Sequence, residues 1–406
     1  MSTYTPYQKR LFLFLSVATF FEGYDFMALS RVLPKLRADF GLTEADGGTM
    51  MMFVNLGTVV AYLLVRQADK WGRRRVLTIT IVGYTLATLG SALAPEVYSF
   101  AILQAIGRIF LIGEWAIAMV IAAEEFPAGK RGVVIGVLQA FSSLGAIVCA
   151  AVAPALLDTE WGWRSVYLVG VAPLVLIAYA RRGLKETARF EEQQAAGPIA
   201  QRPIAAIWST PQRRRVLQLA TIWFFTYLCT QTAISFWTDY AITDLSLTEG
   251  KVSKVLTIGS IVSLPLVFGA GKLIDVLGRK GGALIIFVGT SLGVFGAYSW
   301  TSELGMTIGM ALAIFGVSGV LPVLNAFTTE LFPTDWRGDA FAWSNNLLGR
   351  FGYVLAPLMV GHAAVTMGYG PAIRATAITP LIALALILWW MPETNQLELE
   401  ESAKLG

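Results

Sequence analysis

The chain has 406 residues, of which 55% are hydrophobic and 14% charged, with a mean hydropathy of +0.62. A soluble domain sits lower on both scales, so a soluble enzyme or binding module is excluded as the base reading. The net charge of +4 comes from cations gathered in loops, which reads as membrane topology and not as a nucleic-acid surface.

Apolar runs of about twenty residues, the span of a bilayer core, recur along the chain. They predict an all-α membrane protein of twelve transmembrane helices; a transmembrane barrel would show shorter alternating segments. The expected span cores are 11–33, 47–66, 76–94, 99–122, 133–156 and 164–181 in a first half, then 214–238, 252–272, 281–300, 304–328, 339–361 and 371–391 in a second. The first half is placed at 1–181 and the second at 214–406. The polar stretch 182–213, with Pro203 and Pro211, is an inter-half linker that could include a helix on the membrane surface. Lys9 and Arg10 precede the first run as in a signal peptide, but the run is too long and carries Glu22 and Asp25, so it is expected to stay as the first helix. Cys149 and Cys229 both lie in apolar runs, which argues against a disulfide framework.

With both termini inside, most of the 31 lysines and arginines fall on the cytoplasmic side, among them Lys70, Arg73–Arg75, Arg213–Arg215, Arg279 and Lys280. Arg31, Lys35, Arg37, Arg164, Lys251, Lys254 and Arg374 fall outside. This is the positive-inside pattern of a multi-pass plasma or bacterial inner membrane protein. Trp161, Trp163, Trp389 and Trp390 fit an interfacial belt.

Charges inside the spans are costly, about 2.5–3.5 kcal/mol each on insertion scales, and usually face a cavity or a partner. Glu22 and Asp25, in "FFEGYDF", lie on one face of the first span at i, i+3. Two carboxylates that close resist ionising together, a property suited to a proton acceptor; a structural ion pair is the other reading. Arg108 and Glu114 straddle the middle of span four on different faces, so they should not pair with each other. Arg108 shares a face with Gln104 and Trp115, and a bond from it to Glu22 or Asp25 would make it structural. Gln139 has Ser142 and Ser143 nearby on span five, and a helix–helix hydrogen bond is its alternative role. Span seven offers Tyr227, Thr230 and Gln231. Arg350 lies at the centre of span eleven, on a face expected to hold Trp343, Asn346 and Tyr353. Guanidinium, amide and aromatic rings together make a cradle for a carboxylate.

The chain also repeats itself. "DKWGRRR" at Asp69–Arg75 returns as "DVLGRKG" at Asp275–Gly281. "EEFPAGKRG" at Glu124–Gly132 returns as "ELFPTDWRG" at Glu330–Gly338 with the same offset, and Glu186-Thr187 returns as Glu393-Thr394. Two six-helix halves of common pattern are therefore expected.

These motifs resemble the Major Facilitator Superfamily over nearly the whole chain. The Asp-x-x-Gly-Arg-Arg/Lys loop is its most diagnostic motif; the glycine four residues before the Asp is present as Gly271 but is Val65 in the first copy. The acidic-Gly-aromatic-Asp run of span one resembles the aromatic acid:proton symporters, although Glu22 stands where Asp is usual. "GEW" at Gly113–Trp115 looks like the metabolite:proton symporters, which usually carry an arginine where Gln104 stands. The "GRFG…AP" stretch around Arg350 resembles the aromatic acid symporters and organic-anion carriers. Span five lacks the Gly-Pro-x-x-Gly-Gly run of drug antiporters.

The resemblance implies a secondary transporter working by alternating access. In it Asp69, Gly72, Arg73, Glu124, Arg131, Asp275, Gly278, Arg279, Glu330 and Arg337 would gate the cytoplasmic face. The glycine makes the tight turn, the Asp sits near a neighbouring helix N-terminus, and the cations pair with Glu124 or Glu330. The specific expectation is symport of a small organic anion with a proton. Asp25 with Glu22 would take the proton; Arg350 with Asn346 would hold the carboxylate; Gln139, Arg108, Tyr227 and Gln231 would complete the solute site. Its partners would be the solute, protons and the bilayer, with no nucleic acid and a monomer as working unit. No Walker sequence, nucleophile–base constellation or zinc-type cluster appears, and His362 stands alone, so no enzyme, cofactor or metal is expected. The alternatives are a carrier of a neutral or cationic metabolite, an exporter, or a membrane sensor that binds solute without moving it; a channel would need a repeated selectivity loop.

Overall fold

The computed structural model describes residues 4–172, 185–195, 203–333, 335–395 and 397, with the side chains of Asp69, residues 128–132, Ala188, Arg189, Gln193 and Ala195 outside that set. In an apolar medium every backbone amide must be satisfied within its own segment, which is why such runs coil into long helices. The described spans are Pro6–Phe40, Glu44–Arg66, Arg73–Ala92, Val97–Glu125 and Ala128–Leu157, then Arg213–Ser235 with Trp237–Thr243, Glu249–Val276, Gly278–Ala297, Glu303–Glu330, Arg337–Met367 and Tyr369–Trp390. The sixth begins as Trp163–Val169, and its expected remainder, from 173, lies outside the described residues. Among the described residues ten helices are long and apolar enough to cross a bilayer, or eleven if the bent seventh span counts as one.

Local chemistry sets the ends. Thr43 and Asp46 cap span two reciprocally: Asp46 N–H donates to Thr43 Oγ1 (3.2 Å) and Thr43 N–H to Asp46 Oδ2 (3.0 Å). Ser302 accepts from Gly305 N–H (3.1 Å) at the start of span ten. Span seven turns by 48° at Phe236. Span eleven is not a uniform α-helix: Ala342–Gly349 winds as a π-helix, which shifts the facing of every side chain after it. The expected linker contains a short helix, Ala188–Ala195, and a 3₁₀ turn, Ile204–Ser209.

Contacts divide the chain into Met1–Phe40 with Phe53–Gln201, and Gly41–Met52 with Arg202–Gly406. Each unit has its own core, the first around Leu15, Leu77, Ile117 and Leu138, the second around Trp223, Phe287, Leu324 and Phe327. In the first unit, spans one and five cross backbone to backbone. A Cβ added at Gly23 would overlap the Ser142 carbonyl, and one at Gly145 would overlap the Phe20 carbonyl. In the second, a Cβ at Gly352 would overlap the Phe224 carbonyl where spans seven and eleven cross.

The repeated loops fold alike. Gly72 and Gly278 take φ of 92° and 80°, values that favour glycine, and each is followed at once by a new span. At that helix start the glutamate of the third repeated motif accepts the backbone N–H groups. Glu186 Oε1 accepts from the N–H of Arg73 (2.9 Å) and Arg74 (3.1 Å). Glu393 accepts from the N–H of Arg279 (2.8 Å) and Lys280 (2.9 Å). Arg73 then pairs with Glu124 (3.3 Å), and Arg279 with Glu330 and Asp275 (2.8 Å each). Thr187 and Thr394 donate to Glu124 and Glu330. Arg337 turns instead to the carbonyls of Thr329 (2.7 Å) and Phe332 (3.4 Å). Each of these contacts lies inside one unit. The side chains of Asp69 and Arg131 lie outside the described residues.

Two outcomes follow from this packing. Gly23→Ala forces a methyl against a backbone oxygen that cannot rotate away, at a cost of about 1–3 kcal/mol or more; a lower melting temperature of the purified protein is the expected result. Burial pushes the Glu393 carboxyl up, but the amides of Lys280, Arg279, Asn395 and Thr394 outweigh it and hold the group below the usual glutamate value. Its contribution is therefore complete above the unfolded value of about 4.3 and is lost as pH falls through the lower folded one. Glu393→Ala is expected to cost roughly 1 kcal/mol at neutral pH and to flatten the acid limb of melting temperature against pH.

Candidate functional site

The helices of the first unit place the carboxylates of Glu22, Asp25 and Glu114 and the guanidinium of Arg108 within electrostatic reach of one another. Glu22 and Asp25 flank the Gly23 crossing on span one, so their position is set by how closely span five approaches. Glu22 Oε2 accepts from Ser142 Oγ at 2.6 Å. Asp25 is buried, and its Oδ1 has no hydrogen-bond partner. Arg108, also buried, lies with its guanidinium 5.8 Å from the Phe26 ring centre and keeps Nη1 without a partner. Its charge acts on both Glu22 and Asp25, but no ion pair joins them. Glu114 is buried to 3% exposure with Oε2 unpartnered, and the charges of Glu22 and Asp25 act on it. The sequence singles out Glu114 as a charge inside span four on a different face from Arg108, without a role of its own; that separation was the signal that it would need something else.

Gln104 is buried beside Arg108 on span four, whereas Trp115, expected on that face, is 37% exposed. Gln139 is exposed, and its carbonyl accepts from Ser143. Span one is tied to the sixth span by Tyr24, whose hydroxyl donates to the Val166 carbonyl (3.1 Å).

The second unit builds a different cluster around Tyr227. Its ring stacks on Trp223 at 5.2 Å and meets Tyr353 edge-on at 5.5 Å. Its hydroxyl donates to Asn345 Oδ1 at 2.7 Å. The Arg350 guanidinium lies 5.1 Å from the Tyr227 ring centre and 5.3 Å from that of Tyr353, within cation–π range, and its buried Nε has no partner. Gln231, one turn beyond Tyr227, is buried with Oε1 unpartnered. Thr230 donates back to the Thr226 carbonyl.

The face expected for Arg350 is thus corrected at two places. Asn345, not Asn346, reaches the Tyr227–Arg350 cluster; Asn346 is partly buried on another side. Trp343 belongs elsewhere, donating to the Ile204 carbonyl (2.8 Å) and meeting Trp208 edge-on. Both differences come from the π-helical turn, whose i→i+5 bonding aligns Asn345 with Arg350 where an α-helix would align Asn346. Among the described residues no group of three His, Cys, Asp or Glu could hold a metal ion, and both cysteines are free.

Comparison with known proteins agrees with this architecture. A family model described as Major Facilitator Superfamily matches residues 15–357 and, in a second match, 224–404. The chain is 26% identical over 400 residues to the putative niacin/nicotinamide transporter NiaP of Bacillus subtilis (strain 168), covering 97% of this chain and 98% of that one. It is 26% identical over 421 residues to the gallate transporter of Pseudomonas putida, covering 94% and 91%. In fold it matches the inward open xylose transporter XylE from E. coli with a TM-score of 0.77 at 19% identity, over 98% of this chain and 99% of that one. The described spans fit a twelve-helix, two-bundle membrane architecture, and the chain is a transporter rather than an enzyme. It belongs to the Major Facilitator Superfamily.

Proposed function

We propose that the chain imports a small organic anion, an aromatic carboxylate in the first instance, together with a proton, by alternating access. The observation that carries this reading is that each unit holds a charged side chain with a buried atom that has no partner among the described residues: Asp25 Oδ1 in the first and Arg350 Nε in the second. Such a group within a membrane bundle is costly unless it awaits a ligand. Arg350 offers a planar donor array to a carboxylate, and Asn345 and Gln231 supply polar atoms. The rings of Tyr227 and Tyr353 frame it with surfaces suited to an aromatic body. Niacin and gallate, named for the two relatives, are carboxylates on aromatic rings, which supports the same solute class.

Asp25, with Glu22 beside it, binds the proton from the outer solution. Neutralising a buried carboxylate removes much of the penalty for moving it through a dry intermediate. The carboxylate and the proton then leave on the cytoplasmic side, where the positive-inside pattern puts both termini. The repeated loops fix each unit's own cytoplasmic end, and their ion pairs are the elements that gating would remake.

A cationic or neutral solute is the competing reading, favoured by the carboxylates of the first unit. Uptake of radiolabelled nicotinate and gallate into proteoliposomes separates the two. Arg350→Ala is expected to lower uptake about 10–100-fold, the value of one or two charge-assisted hydrogen bonds; uptake at the wild-type level would favour the competing reading. Asp25→Asn is expected to diminish uphill accumulation driven by a pH gradient while leaving nicotinate counterflow measurable. Undiminished uphill accumulation in that variant would end the role given to Asp25.

A further inference from the structure

We infer that Glu114 is a second proton carrier in the first unit, so that each organic anion enters with two protons. This rests on the proton-coupled reading and adds its stoichiometry. Spans one and four bring together Glu22, Asp25 and Glu114, three carboxylates, with Arg108 as the guanidinium whose charge acts on Glu22 and Asp25. With Arg108 charged, the three would hold two negative charges in excess. Two bound protons cancel them. An ionised carboxylate without a partner is too costly to bury and neutralises instead.

The hydrogen bonds assign the protons. Glu22 accepts from Ser142 Oγ, so its carboxyl already has a donor. Asp25 Oδ1 and Glu114 Oε2 are buried with no partner among the described residues, so each is left to carry a proton. Among the described residues the other titratable groups facing them are the phenols of Tyr24, Tyr84 and Tyr167 and the thiol of Cys149. Neither a phenol nor a thiol supplies a cation, so none of them balances Glu114. In a cycle, each of the two carboxylates takes one H⁺ from the outer solution as an O–H and returns it to water on the inner side, and no bond of the solute changes. A monovalent anion with two protons carries one net positive charge inward.

Two measurements test this. In proteoliposomes with equal pH on both sides, an inside-negative potential is expected to drive nicotinate accumulation by the wild type. Glu114→Gln should lose the potential-driven accumulation but keep the pH-driven one, because one proton with one anion is electroneutral. Glu114→Asp should keep both. A wild type indifferent to potential, or a Glu114→Gln variant that still responds to it, overturns the proposal. The second measurement needs no solute: infrared spectra of the purified protein in neutral buffer should show protonated-carboxyl stretches, one lost in Glu114→Gln and another in Asp25→Asn. An unchanged spectrum in Glu114→Gln overturns the proposal by itself. If neither nicotinate nor gallate accumulates under a pH gradient in the wild type, the symport reading fails, while the infrared result still decides whether Glu114 holds a proton.

Discussion

Spans one and five touch backbone to backbone because Gly23 and Gly145 have no side chains to keep them apart. Between helices in lipid there is little hydrophobic force, so close approach and van der Waals contact hold the pair. The same contact builds the chemistry. Ser142 meets Gly23 through its carbonyl and Glu22 through its hydroxyl, so the crossing that holds the unit together also decides where a carboxylate finds a donor. In the second unit Gly352 against Phe224 does this for Arg350, two residues before it, and for Tyr227, one turn beyond the contact. Close packing and site geometry are one constraint, which is why a methyl group at either crossing should disturb both.

The repeat keeps its scaffold and changes its charge. Both units turn on a positive-φ glycine, cap the next span with a glutamate from their own C-terminal motif, and clamp an arginine to a second glutamate. These positions answer to the backbone, and backbone demands are the same in both copies. The side chains inside the bundles are free of that demand and differ between the copies. Gln231 stands at the offset from Asp25 that separates Asp69 from Asp275, so a carboxylate in one copy is an amide in the other. The first unit gathers acid and the second a guanidinium among tyrosines.

The spans, the repeat and the ion pairs Arg73–Glu124 and Arg279–Glu330 were legible because each depends on pattern: apolar length, recurrence, and opposite charges in matched motifs. What the sequence hid were departures from regular winding. Nothing in "AWSNNLLG" distinguishes a π-helix from an α-helix, since both need the same apolar run, yet that winding decides between Asn345 and Asn346 and sends Trp343 to the Ile204 carbonyl. The caps formed by Glu186 and Glu393 were visible as a repeated motif without a purpose, because the helix starts they serve lie about 113 residues away in sequence. Glu114 was visible as a charge within a span, but its surroundings were not. Burial of a carboxylate on a long helix depends on which neighbours cover it, and that is tertiary information.

Two arginines show how a bundle separates holding from carrying. Arg279 commits Nε, Nη1 and Nη2 to Glu330, Asp275 and the Ile274 carbonyl, so its charge is fully answered by the protein. Among the described residues Arg350 meets two ring faces and keeps a buried nitrogen without a partner. Satisfying it with a fixed carboxylate would stabilise the bundle and close the site, because a permanent partner binds in every conformation and so biases none. Aromatic faces are the compromise. They lower the cost of a desolvated guanidinium without competing in-plane for the hydrogen bonds a carboxylate would make. In the proposed cycle, the instability left at Arg350 and at Asp25 is what a cargo and a proton would relieve.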